Sequence, residues 1–109
     1  GDAILRQIAD TVHAKIDRRH LFIRYGGDEF IVLALHHSLT EMRAFCEDLR
    51  ITLAQTLDGV TLSFGVSTWH GADDNMTALM ERADRALYCS KEKGRNSVST
   101  EDEAPPETN

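Results

Sequence analysis

The apolar and polar positions divide the chain into seven segments. Residues 3–16 repeat apolar side chains at Ile4, Ile8, Val12 and Ile16, with Leu5 and Ala9 beside them, which is one stripe of an amphipathic helix. Asp2 stands where an N-cap belongs, able to accept from first-turn amides. Two runs follow, Leu21-Phe22-Ile23-Arg24-Tyr25 and Ile31-Val32-Leu33-Ala34-Leu35, rich in the β-branched and aromatic residues that suit a pleated surface. Gly26-Gly27 between them predicts a hairpin that reverses over two residues with positive φ and leaves backbone N–H groups open to a ligand. The second run is apolar on both faces from Phe30 to Leu35, the pattern of a central strand.

Ser38-Leu39-Thr40-Glu41 reads as a capping box, and Met42, Phe45, Cys46, Leu49 and Leu53 continue it as a helix to about residue 57. Asp58-Gly59 turns the chain into residues 60–69. There the even positions from Val60 to Val66 are apolar and the odd ones small or polar, which predicts a strand with one buried face. Gly65 inside it marks either a bulge or a close approach of another element. A polar loop over Gly71–Asn75 ends in several possible N-caps. Met76, Leu79, Met80, Ala83, Ala86, Leu87 and Ser90 then trace a second packing helix, which Gly94 is positioned to end as a left-handed residue. Asn96 to Thr100 form a short last strand, and Glu101 to Asn109, with Pro105-Pro106 and no large apolar side chain, read as a disordered acidic tail or linker. The order is helix, strand, strand, helix, strand, helix, strand. It predicts an α+β fold with helices packed on a mostly antiparallel sheet, as one domain over residues 1–100 followed by the tail at 101–109.

Composition narrows the function classes. The 109 residues suit one domain, and the net charge of −6 falls to −2 once the four acids of the tail are set aside. Without a basic run, nucleic acid is an unsuitable partner, and a small, locally held anion such as a nucleotide fits better. The two cysteines, Cys46 and Cys89, lie in helical patterns with apolar neighbours and without metal-ligand spacing, and read as reduced, buried thiols of a reducing compartment. No segment has the apolar length of a membrane span and there is no signal peptide, so the expected location is cytoplasmic. His36-His37 point to opposite faces of a strand and cannot share one metal.

Candidate chemistry gathers at the hairpin. Asp28 and Glu29 are two adjacent carboxylates at its apex, without an obvious Arg or Lys partner, arranged as ligands of a divalent cation would be. On spacing alone they are equally polar turn residues. Lys91, Lys93 and Arg95 stand at the end of the second packing helix, where the helix dipole alone favours cations.

The string Arg24-Tyr25-Gly26-Gly27-Asp28-Glu29-Phe30 resembles the signature of the GGDEF domains, the diguanylate cyclases of bacterial signalling. The resemblance extends to Gly1-Asp2-x-x-Leu5, to Leu62-Ser63-Phe64-Gly65-Val66, and to Ala83-Asp84-x-Ala86-Leu87-Tyr88-x-x-Lys91-x-x-Gly94-Arg95-Asn96, in the family order across residues 1–100. It implies the nucleotidyl-cyclase, palm-like fold and condensation of two GTP molecules into cyclic di-GMP with loss of pyrophosphate. It further implies a Mg²⁺ or Mn²⁺ ion, a homodimer of domains for catalysis, and an upstream sensory or regulatory domain. By the same resemblance Asp28 and Glu29 are the catalytic, metal-binding acids, and Gly26 and Gly27 admit the nucleotide to the backbone. Lys91 and Arg95 grip the terminal phosphates, Asp2 hydrogen-bonds the guanine edge, and Lys93 is a solvated charge.

Two departures qualify those expectations. Family members begin with a strand that carries an Asp completing the metal site, followed by a helix with a guanine-reading Asn, and neither precedes Gly1. The chain therefore reads as an N-terminally truncated domain, inactive in isolation, and the alternative is a silent GGDEF-like module that binds GTP and regulates a neighbour. The second departure is that Asp17 and His20 stand where an inhibitory product site carries Arg and Asp, so an anionic dinucleotide would be repelled there and no product inhibition is expected.

Overall fold

The computed structural model describes residues 3, 6–10, 20–35, 38–56 and 61–104. Its elements are β1 (His20–Arg24), β2 (Glu29–Ala34), α1 (Leu39–Thr56), β3 (Ser63–Thr68), α2 (Met76–Glu92) and β4 (Val98–Thr100). Residues 3 and 6–10 are also helical, and Ile8 is buried in the core. The rest of the expected first helix, Asp2, Asp17, His36-His37, the turn at Asp58-Gly59 and Pro105-Pro106 lie outside the described residues.

The strands form one sheet in the order β1-β2-β3-β4. It is mixed rather than mostly antiparallel: β1 and β2 are an antiparallel hairpin, whereas β2 pairs with β3 and β3 with β4 in parallel. A helix separates β2 from β3 and another separates β3 from β4, and a helical crossover returns the chain to the same end of the sheet, which makes neighbouring strands parallel.

β2 is covered on both faces, as its apolar run requires. Phe30, Val32 and Ala34 pack with Met42, Cys46, Leu49 and Leu53 of α1, and Ile31 and Leu33 pack with Leu79, Ala83 and Leu87 of α2. β3 is likewise buried on both sides. Its even residues Phe64 and Val66 join the α1 core, and its odd residues Ser63, Gly65 and Ser67, expected to be the open face, lie under α2. Small side chains are what let the helix come so close. A Cβ built on Gly65 would stand 2.3 Å from both the Ala83 carbonyl oxygen and the Leu87 amide nitrogen, while the strand register runs through without a bulge. The buried hydroxyls are satisfied, since Ser67 donates to the Leu79 carbonyl at 2.8 Å and Ser90 donates to the Phe64 carbonyl at 2.7 Å.

Helix boundaries follow the expected caps. Ser38 Oγ accepts from Glu41 N at 3.1 Å to start α1, and Asn75 Oδ1 accepts from Ala78 N at 2.9 Å to start α2. Beyond β4, residues 101–104 form a turn rather than an open tail. Glu101 accepts from Thr68 N at 2.8 Å and pairs with Arg82 and His70, and Glu103 pairs with Lys93 and Arg43. These acids are held by Arg43 of α1, by Arg82 and Lys93 of α2 and its cap, and by His70 in the loop after β3, which composition alone does not reveal. Lys93, expected to be solvated, is the partner of Glu103 at 2.7 Å.

Candidate functional site

The hairpin loop, the start of β3 and the segment after α2 meet at one end of the sheet. Tyr25 N and Gly26 N both donate to the Glu29 carbonyl, at 2.8 and 3.3 Å, so the loop closes over Gly26, Gly27 and Asp28. Neither glycine has positive φ. Gly26 leaves room for the Glu29 carboxylate, since a Cβ there would lie 2.7 Å from Glu29 Oε1 and would make that side chain shift; Gly27 is exposed and faces open space. The Asp28 carbonyl accepts from Ser63 N at 3.0 Å, and Ser63 Oγ accepts from Asn96 N at 3.0 Å, which ties the loop to β3 and β3 to the segment beyond α2.

That segment is a Schellman ending of α2. Arg95 N donates to the Ser90 carbonyl at 3.0 Å and Gly94 N to the Lys91 carbonyl at 3.1 Å, with Gly94 at φ 100°. Arg95 at φ 68° and Asn96 at φ 47° continue in the left-handed region, which side chains with a Cβ rarely adopt. Asn96 is held there by the Ser63 bond and by a 2.9 Å bond from Arg50 of α1 to its Oδ1.

The consequence is an ion cluster. Glu29 Oε2 lies 2.5 Å from Arg95 Nη1 and 3.5 Å from Lys91 Nζ. The Glu29 side chain is 13 % exposed and that of Arg95 is 50 % exposed, so one partner is sheltered while the other faces water. The Arg95 guanidinium, aided by Lys91 and opposed by burial, holds the Glu29 carboxyl below the ordinary carboxylate range, and Glu29 in turn raises Arg95. Asp28 adds its negative charge to the field at Arg95. The expected absence of an Arg or Lys partner is thus corrected for Glu29: its partners come from 62 and 66 residues downstream, beyond the reach of local pattern.

Two adjacent carboxylates beside paired cations suit a hard divalent ion, which takes one or two protein carboxylates and draws its other donors from phosphate oxygens and water. Among the described residues no third acid, His or Cys stands with them to form a preassembled metal cage. Of the remaining expected site residues, Asp2 and Asp17 lie outside the described residues. His20 is a buried packing residue whose ring stacks on Phe45 at 5.1 Å.

Sequence reasoning did not single out Tyr25 and Asp84 as a pair. The Asp84 carboxylate, close to the Tyr25 hydroxyl, raises the Tyr25 pKa, with a smaller push from Glu29. Asp84 precedes Lys91 by seven residues, two helical turns, so both lie on the helix face that meets the hairpin. That spacing was visible in the sequence; the partner across the hairpin was not.

Residues 1–97 match the family model described as the diguanylate cyclase GGDEF domain. Diguanylate cyclase A of Treponema denticola is 35% identical over 106 residues, covering 91% of this chain and 29% of that protein. The response regulator PleD of Caulobacter vibrioides is 33% identical over 107 residues, covering 90% of this chain and 24% of that protein. The chain therefore spans about a quarter to a third of the length of these relatives. The crystal structure of the GGDEF domain of DgcB from Caulobacter crescentus in complex with c-di-GMP superposes with a TM-score of 0.73 at 25% identity, covering 93% of this chain and 64% of that one.

Proposed function

Because the chain belongs to the GGDEF domain family of the diguanylate cyclases, we propose that it is the nucleotide-binding part of an enzyme that condenses two GTP molecules into cyclic di-GMP. In each half-reaction a 3′-hydroxyl oxygen bonds to the α-phosphorus of the other nucleotide, the bond to pyrophosphate breaks, and the hydroxyl proton leaves. The observation that carries the reading is the convergence of Glu29, Lys91 and Arg95 at one corner, with Asp28 adjoining. Lys91 and Arg95 would grip the terminal phosphates, where a guanidinium makes paired charge-assisted bonds and an ammonium acts as a point charge. Gly26 and Gly27 would admit the nucleotide close to the loop backbone, and Asp2 would hydrogen-bond the guanine edge. Asp28 and Glu29 would hold Mg²⁺ or Mn²⁺, which when bound neutralises charge developing on the phosphates.

Among the described residues one such cation pair is present, room for one nucleotide per chain, which supports a working unit of two facing domains. The greater length of the relatives supports a linked sensory or regulatory domain. Among the described residues no helix is long and apolar enough to cross a membrane, and Cys46 and Cys89 are free thiols, which agrees with a cytoplasmic setting. With no third acid, His or Cys beside Asp28 and Glu29 among the described residues, the isolated chain is expected to bind GTP without appreciable condensation.

The test is cyclic di-GMP formation from GTP and Mg²⁺ by a protein carrying this chain in its native context, beside its Asp28→Ala variant. Product that disappears in the variant supports the enzyme. GTP binding without product in either protein would identify a silent regulatory module instead.

A further inference from the structure

The same carboxylate that the proposed function gives to a divalent cation is spent, in the free chain, on the two cations it gives to phosphate. Glu29 Oε2 is within 2.5 Å of Arg95 and 3.5 Å of Lys91, and Gly26 leaves the space in which that carboxylate sits. In this arrangement Oε2 cannot serve a divalent ion while it holds both cations. A phosphate that approaches Lys91 and Arg95 meets a resident carboxylate that already engages both and cancels one of their two charges, and displacing it leaves Glu29, a largely sheltered acid, beside a second anion.

We infer that Glu29 is a specificity-determining residue that makes this anion site selective for metal-loaded over metal-free polyphosphate. The inference rests on the proposed roles of Lys91 and Arg95. When a polyphosphate arrives with its divalent cation, Glu29 exchanges one positive partner for another and releases Arg95 and Lys91 to the phosphates. When it arrives alone, Glu29 has nowhere to go. Selectivity thus comes from a repulsive element placed against the wrong form of the ligand, as well as from attraction to the right one. Arg95 is half exposed, so its guanidinium can turn from Glu29 to a phosphate without opening the core. The exchange also guards the site against inorganic phosphate and other free anions, which carry no cation of their own.

The probe is inorganic tripolyphosphate, which removes base recognition from the measurement, titrated calorimetrically into the 109-residue chain with EDTA or with Mg²⁺. The wild-type chain is expected to bind it about tenfold more tightly with Mg²⁺ than without. Glu29→Gln, which keeps size and loses charge, is expected to bind the metal-free form about tenfold more tightly than wild type and to lose most of the Mg²⁺ advantage. Glu29→Asp, one methylene shorter and withdrawn from Arg95, should fall between them and gives a second reading should the Gln variant fold poorly. Metal-free binding by both variants that is no tighter than wild type, with Arg95→Gln weaker than all of them, overturns the gate and leaves the phosphate grip standing. Binding unaffected by Arg95→Gln, or no binding by any form, overturns the gate and the phosphate grip together.

Discussion

Gly65 and Leu87 are in backbone contact across the interface of β3 and α2: a Cβ on the glycine would lie 2.3 Å from the Leu87 amide nitrogen. A methyl group there must push the helix away from the strand, because the obstacle is helix backbone rather than a movable side chain. Gly65→Ala is expected to destabilise the chain by about 3 kcal/mol, read as a lower urea midpoint. A change below about 0.5 kcal/mol would mean that the helix is not seated on this glycine.

A second prediction concerns the far end of α2. Arg82 lies in a network with Asp74, Glu101 and the Thr68 carbonyl, and its side chain is only 15 % exposed. Replacing it with Met keeps volume and takes the guanidinium from two acids, at an expected cost of about 2–4 kcal/mol. The same network sets an acid limit. The Arg82 guanidinium, with the His70 and Asn75 amides, holds Asp74 well below its ordinary value of 3.8. An unfolded Asp74 binds its proton first on acidification, so the contribution is complete above the unfolded value and fades as pH falls through the folded one. The melting temperature should therefore fall below about pH 4, and that slope should be shallower in Asp74→Asn.

The start of α2 allows a sharper check. Asn75→Ala removes the side-chain oxygen that accepts from Ala78 N and is expected to cost about 1 kcal/mol, while Asn75→Gly is expected to cost only a few tenths. Equal losses in thermal unfolding would contradict the cap.

Arg95 is held at φ 68°, a conformation glycine adopts without strain. Arg95→Gly should raise the urea midpoint slightly while it removes the phosphate grip. A gain in stability with loss of nucleotide binding would mark the residue as kept for function, whereas a clear loss of stability would give the Glu29 pair a structural weight that its exposure argues against.

Much of this was legible in the sequence, for local reasons. The doubly apolar run at Phe30–Leu35 gave the central strand, Ser38 and Gly94 marked the start of α1 and the end of α2, and Gly65 announced a close approach or a bulge, of which the structure has the former. Strand partners were not legible, because period-two alternation fixes faces but not neighbours, and the sheet proved mixed. Ser63, Gly65 and Ser67 read as a solvent face because small residues under a helix and small residues in water have the same pattern. Glu29 read as an unpaired acid because Lys91 and Arg95 reach it only after α2 has folded back along the sheet, and Glu101 and Glu103 read as tail because their partners are spread over Arg43, His70, Arg82 and Lys93.

The most direct measurement is calorimetric titration of GTP with Mg²⁺ into the chain and into Arg95→Ala and Lys91→Ala. One GTP per chain is expected for wild type, with affinity about tenfold lower in each variant and little change in melting temperature. Unchanged GTP affinity in both variants would contradict a phosphate grip at the corner where Glu29 meets Lys91 and Arg95.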